Sequence, residues 1–193
     1  EQIAALLAEL PGDSSVSITK PSELAKELFT HRGSGTLVRQ GKRIQTAASW
    51  SKISKPRLQA LLESGFSKKM RAEYFADNKP SRIYFSEDYR AALVLLKVAG
   101  MDYLDKFAVA EDAQGEGLGS AAWNVMRQNH PKLFWRSRRE NPINDFYMQA
   151  CDGCIKFRHW TVFWYGLDGM DEIQAAADYC LDKPASFHED RTP

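Results

Sequence analysis

Cysteine and histidine are scarce here: three and four residues among 193. Cys151-Asp-Gly-Cys154 has C-x-x-C spacing, but no second pair and no histidine at ligand spacing accompanies it. The pattern therefore reads as a turn with incidental cysteines rather than a zinc or redox site. His31, His130, His159 and His188 are scattered and form no ligand set, so no metal is expected. No apolar run approaches the ~18 residues of a membrane-spanning helix, so no membrane partner is expected. Excess charge is also missing. Lys and Arg number 26 against 25 Asp and Glu, which leaves +1. That balance argues against a broad phosphate-backbone footprint and against a nucleic-acid partner. No repeat, low-complexity tract or leader segment is visible. What remains is an ordinary globular composition, long enough for one main core and an N-terminal fragment.

The first positive signal is a glycine turn, Gln114-Gly115-Glu116-Gly117-Leu118-Gly119. It follows an apolar run, Tyr103 to Ala110, that reads as a buried strand. It precedes a helical pattern from about Gly119 to His130 that Pro131 ends. Amides at such a helix start form an anion site without a side-chain cation. Three readings compete. One is an ordinary strand-to-helix turn. The second is a dinucleotide fingerprint, for which Ser120 stands where Gly or Ala is needed, while Glu140 sits at the expected distance. The third is the Gln/Arg-x-x-Gly-x-Gly/Ala pyrophosphate loop of the GNAT family of N-acetyltransferases, which the turn matches throughout. A nucleotidase-type loop is excluded, because no Lys-Ser/Thr follows.

The second signal is Leu133-Phe-Trp-Arg136-Ser-Arg138. Strand alternation puts Arg136 and Arg138 on one face and Trp135 and Ser137 on the other. Two guanidinium forks side by side suit carboxylates. The bland alternative is a solvated basic edge that includes Arg139. Asn141-Pro142 reads as a helix cap with Pro at the first position. Tyr147 then lies on a short helix. Its phenol could pack, donate a hydrogen bond, or act as a general acid toward a leaving thiolate of similar basicity.

Together, Tyr103-Leu-Asp-Lys-Phe107, the glycine turn, Phe134-Trp-Arg-Ser-Arg138, Asn141-Pro-Ile-Asn144, Tyr147, Phe163-Trp-Tyr-Gly166 and Phe66-x-Lys68-Lys69-x-Arg71 resemble the acetyltransferase domain of vertebrate-type N-acetylglutamate synthases, over roughly residues 50–188. The resemblance implies an α+β, three-layer GNAT fold with a mixed, mostly antiparallel central sheet flanked by helices. It implies transfer of the acetyl group of acetyl-CoA to the amine of L-glutamate by direct attack. It also allows a second role, as a regulatory domain of a fused acetylglutamate kinase with little turnover of its own. By resemblance, Lys68, Lys106, Phe107, Arg136, Arg138 and Asn141 would bind glutamate or its acetylated product. Phe107, Ala108, Val109, Gln114, Gly115, Gly117, Leu118 and Gly119 would hold acetyl-CoA. Tyr147 and Asn141 are the candidate catalytic residues, with Tyr147 as general acid. The protein would be a homo-oligomer, cytoplasmic in a bacterium or in the mitochondrial matrix of a eukaryote.

The opening segment reads as a strand (Ser14–Thr19), a helix (Pro21–Thr30) and a strand (Thr36–Arg39). It resembles the end of an amino-acid kinase domain, so residues 1–40 are expected to be a remnant of one. Residues 41–50 read as a linker and 51–188 as the acetyltransferase domain. Within the latter, helices are expected near 55–64 and 68–77, a hairpin at 81–85 and 91–96, and strands at 103–110, 133–138 and 160–165. Further helices are expected at 118–130, from about 142, and at 170–182.

Overall fold

The computed structural model describes residues 15–23, 36–39 and 43–188. The chain divides into two compact units, Glu1–Lys42 and Arg43–Pro193. In the first, β1 (Ser15–Ile18) pairs antiparallel with β2 (Thr36–Arg39), and Pro21–Glu23 forms one 3-10 turn. The rest of the helix expected over 21–30 lies outside the described residues.

The second unit is built on seven strands: β3 (Ile44–Ala47), β4 (Pro80–Ser86), β5 (Ala91–Val98), β6 (Met101–Val109), β7 (Leu133–Arg138), β8 (Gly153–Lys156) and β9 (Trp160–Tyr165). Their spatial order is β3-β4-β5-β6-β7-β9-β8. All neighbours are antiparallel except β6 and β7. The helices are α1 (Lys55–Phe66), α2 (Tyr74–Asp77), α3 (Leu118–Asn129), α4 (Asn144–Ala150) and α5 (Met170–Asp182).

Alternation along each strand feeds two cores, one per sheet face. On one face Ile83, Phe85, Val94, Tyr103, Phe134 and Val162 meet Leu58 and Leu62 of α1 and Ala176 and Cys180 of α5. On the other, Leu93, Leu95, Leu104, Trp135, Phe163 and Tyr165 meet Trp123 and Met126 of α3 and Tyr147 of α4. This is the expected three-layer arrangement around a mixed sheet.

Two irregularities interrupt the sheet near its centre. Parallel pairing of β6 with β7 covers only Asp102–Leu104 against Leu133–Trp135, after which the partners part. In the β5–β6 ladder, Val94 opposes Lys106 while Leu95 opposes Leu104. Asp105 is thus the extra residue of a β-bulge, and such an insertion breaks the alternation of faces.

Several expectations are corrected. Residues 41–50 contain β3, which adds an edge strand against β4, so this stretch is not simply a linker. The helix expected over 68–77 shrinks to Tyr74–Asp77. Ser67 ends α1 with a left-handed φ of 51°. Glu63 accepts from the Met70 amide at 3.0 Å, and Met70 forms a bridge with Phe187. Asn141 does not cap α4. The helix starts at Asn144, and the Asn141 side chain instead accepts from Ile143 N–H at 3.2 Å, two residues on. Strand β8, which takes in Cys154, had no clear alternating signal in the sequence.

Candidate active site

Where β6 and β7 part, a cleft of about 1100 Å³ opens. Its walls are Leu104–Val109 on one side and Trp135–Arg138 on the other. Every site residue expected from the sequence lines it except Leu118. Leu118 is 5% exposed and packs against Ala91 and Ala113, so its side chain belongs to the core.

One part of the cleft lining is the glycine turn. Gly117 has φ 78° and stands at the start of α3, and Gly115 has φ 86°. A Cβ at either would meet nothing within 4 Å, so the glycines answer a backbone need and leave the space beside them open. Gly119 is different: a Cβ there would come within 2.9 Å of Val109 Cγ2, which makes it a packing glycine. Gln114 and Glu116 donate their amides to Glu111 and Ala113, and Ala121 donates to Gly117. The amides of Gly115, Gly117, Leu118, Gly119 and Ser120 make no hydrogen bond among the described residues. They form a cradle of donors at the positive end of a helix. Arg90 holds Glu116 by both carboxylate oxygens, at 3.1 and 3.2 Å, and Asp112 at 3.3 Å, which offsets two acidic charges beside that cradle.

Another part of the lining is cationic. Arg136 and Arg138 share a face of β7, as alternation predicts. Their guanidinium carbons each lie 4.1 Å from the ring centroid of Trp160. Arg136 also donates to the carbonyls of Cys180 and Pro184, at 3.4 Å for the latter. They are not a solvated edge; both are half-buried. Lys68 reaches the cleft from the loop after α1. That loop is pinned by Glu63, which takes Lys69 Nζ at 2.8 Å and the Met70 amide.

The bulge sends both Asp105 and Lys106 toward the α1–α5 face. Asp105 accepts from Lys106 Nζ at 2.7 Å and from the Tyr74 hydroxyl at 2.8 Å, and Lys183 Nζ lies 3.4 Å away. The Asp105 side chain is fully buried. Burial alone would raise its pKa, but the charges of Lys106 and Lys183 and the Tyr74 hydrogen bond overcome this and hold it below the ordinary range. For Lys106, burial pushes the ammonium pKa down against the pull of Asp105.

Tyr147 enters from the opposite face. Its ring packs on Trp123, Trp135, Phe146 and Phe163. Burial raises its phenol pKa, so it is protonated at neutral pH. Beside it on β7, Trp135 Nε1 and Ser137 Oγ are buried and lack a hydrogen-bond partner among the described residues. Asn141 lines the cleft, and Asn144 ties the end of β7 to α4 through the Arg138 and Arg139 carbonyls at 2.8 and 3.0 Å.

The geometry joins a backbone anion cradle, a cationic pocket and a phenol in one cleft. A family model described as NAT, the N-acetyltransferase of N-acetylglutamate synthase, matches residues 45–183. The chain belongs to that family. A Xanthomonas campestris protein named acetylglutamate kinase is 55% identical over 95% of this chain and 44% of its own length. The zebrafish (Danio rerio) mitochondrial N-acetylglutamate synthase is 40% identical over 96% of this chain and 36% of its own length. The chain thus spans less than half the length of these curated relatives. Among solved structures, a Bacteroides thetaiotaomicron protein assigned to the GNAT acetyltransferases aligns with TM-score 0.52 at 12% identity, covering 71% of this chain and 95% of that one. That likeness supports the GNAT fold.

Sequence reasoning missed Asp105, Trp160 and the segment Ala185–His188, all of which contribute to the cleft or its cations. Trp160 sits opposite Arg138 in the β7–β9 register, a placement that strand alternation could have flagged.

Proposed function

We propose that this chain transfers the acetyl group of acetyl-CoA to the α-amine of L-glutamate, giving N-acetyl-L-glutamate and CoA. One observation carries the reading. The donor cradle at Gly115–Ser120, the cations Arg136, Arg138 and Lys68, and the phenol of Tyr147 all line one cleft. The amide cradle would take the pyrophosphate of CoA, with no side-chain cation required. The extended arm would then run between the parted edges of β6 and β7, along Phe107–Val109. The cations, including Arg136 and Arg138, would hold the carboxylates of glutamate on the α1–α5 face. The amine would thereby be aimed at the thioester carbonyl from one side of the sheet.

The ammonium of glutamate gives a proton to water to become the attacking amine. Attack forms the C–N bond and breaks the C–S bond without a covalent enzyme intermediate, and the nitrogen loses its second proton to water as the amide forms. The departing thiolate needs a proton. Tyr147, kept protonated by its aromatic surroundings and lying on the far side of β7 from the cations, is suited to donate it. Trp135 Nε1 and Ser137 Oγ are further polar atoms able to bind the arm on that side. The kinase-named relatives make a fused amino-acid kinase domain the natural partner of the unit. The direct test is mass-spectrometric detection of N-acetylglutamate from acetyl-CoA and glutamate. Tight CoA binding with no product would favour the regulatory role instead.

A further inference from the structure

The stretch that the family model matches ends at residue 183, and the chain just beyond it lines the same cleft. Residues Ala185–His188 line the cleft after α5. They are fixed there by several contacts. The Ser186 carbonyl accepts from Arg71 N–H at 3.0 Å, and His188 N–H donates to the Lys69 carbonyl at 2.9 Å. Phe187 bridges to Met70 and packs on Phe66 with ring centroids 4.8 Å apart.

The hydrogen bonds of Lys106 decide what this segment does. Its ammonium has three N–H groups and no acceptor. Three acceptors surround it: Asp105 Oδ2 at 2.7 Å, the Asp105 carbonyl at 3.1 Å and Ser186 Oγ at 2.9 Å. Lys106 is 6% exposed and has no further N–H to offer. Because an ammonium only donates, Ser186 Oγ must accept, and the serine proton has to point elsewhere. No hydrogen bond takes up that proton among the described residues. Ser186 itself lines the cleft.

We propose that Ser186 donates its hydroxyl proton to a carboxylate of the acceptor amino acid, and that Lys106 acts behind it as a positioning cation. The inference rests on the glutamate reading above. Asp105 fixes Lys106, Lys106 orients the Ser186 oxygen, and the Ser186 O–H faces the substrate. The positive charge behind the hydroxyl makes it a stronger donor than an isolated serine. It also keeps a cation near the bound anion.

The test is steady-state kinetics on wild type, Ser186→Ala and Ser186→Thr. Ser186→Ala is expected to raise the glutamate KM about tenfold or more, the loss of a hydrogen bond to a charged group. The acetyl-CoA KM and kcat should stay within about twofold. Ser186→Thr, which keeps the hydroxyl, should recover most of the loss. An unchanged glutamate KM in Ser186→Ala would overturn the assignment. So would a lowered one, which would make Ser186 a competitor of the substrate for Lys106. A wild-type chain that does not acetylate glutamate would sink the proposed function itself. A wild type that does, with an indifferent Ser186→Ala, sinks only the role of Ser186.

Discussion

The two polar parts of the cleft lining are suited to negative charge by different means. At the glycine turn, the donors are main-chain amides of one contiguous stretch, Gly115–Ser120, with open space beside them. In the cationic part, the groups are side chains from separate segments: Lys68 after α1, Arg136 and Arg138 on β7, and, under the proposal above, Ser186 after α5 with Lys106 behind it. Lys106 and Arg136 are already held by the protein. A cradle of amides needs only a backbone shape, which six adjacent residues can specify. A pocket of buried cations needs compensation, because an uncompensated buried charge is costly. Asp105, Trp160 and the carbonyls of Cys180 and Pro184 supply it.

Tyr147 belongs to neither polar group, so its loss gives the largest and cleanest break between binding and turnover. Tyr147→Phe should lower kcat by roughly 10²–10⁴-fold while both KM values move little. The ring packing is preserved in Phe, so the melting temperature should be nearly unchanged. A drop in melting temperature with kcat intact would reduce Tyr147 to a packing residue.

A smaller effect separates the amide cradle from the cations directly. Arg138→Ala should raise the glutamate KM about 10–100-fold, corresponding to ~1.5–3 kcal/mol for a charge-assisted contact. Acetyl-CoA binding should be retained. Gly117→Val should do the converse, since a β-branched residue is strained at φ 78° and crowds the amide cradle. Calorimetry with CoA and with dephosphorylated pantetheine would show whether the lost affinity comes from the phosphates. Equal losses of both substrates in both variants would erase the distinction between the amide cradle and the cations.

The smallest expected effect concerns the loop that carries Lys68. Hydrogen bonds from Gln59, Lys69 and the Met70 amide hold the Glu63 carboxyl down at about 2, against an ordinary 4.5. A lowered folded-state value means that the stabilisation is complete above about 4.5 and is lost as pH falls toward about 2. Nuclear magnetic resonance of the Met70 amide should report that loss in this window. Glu63→Gln should remove the pH dependence.

The same contrast explains what the sequence disclosed. The glycine turn was legible because its geometry is local. The arginine pair was legible because β7 is regular, so alternation alone puts Arg136 and Arg138 together. Asp105 was not, because its orientation depends on a bulge set by pairing with β5. Ser186 was hidden for another reason: it reaches Lys106 across 80 positions of sequence. The short edge strands β3 and β8 carry too few residues for periodicity to speak. The polar stretch after Phe66 looked helical because its turn is made by contacts to Glu63 and Phe187 rather than by its own composition.

The early parting of β6 and β7 has one more consequence. Asp105–Val109 keeps its ladder to β5 on one edge but has no strand on the other, and Arg136–Arg138 is in the same position toward β6. The sheet therefore contains a missing length of strand, bounded by main-chain donors and acceptors. A slender molecule carrying amides of its own, as the pantetheine arm of CoA does, can knit that gap. Ligand binding would then finish the sheet, and slowed amide hydrogen exchange along these two edges would be its signature.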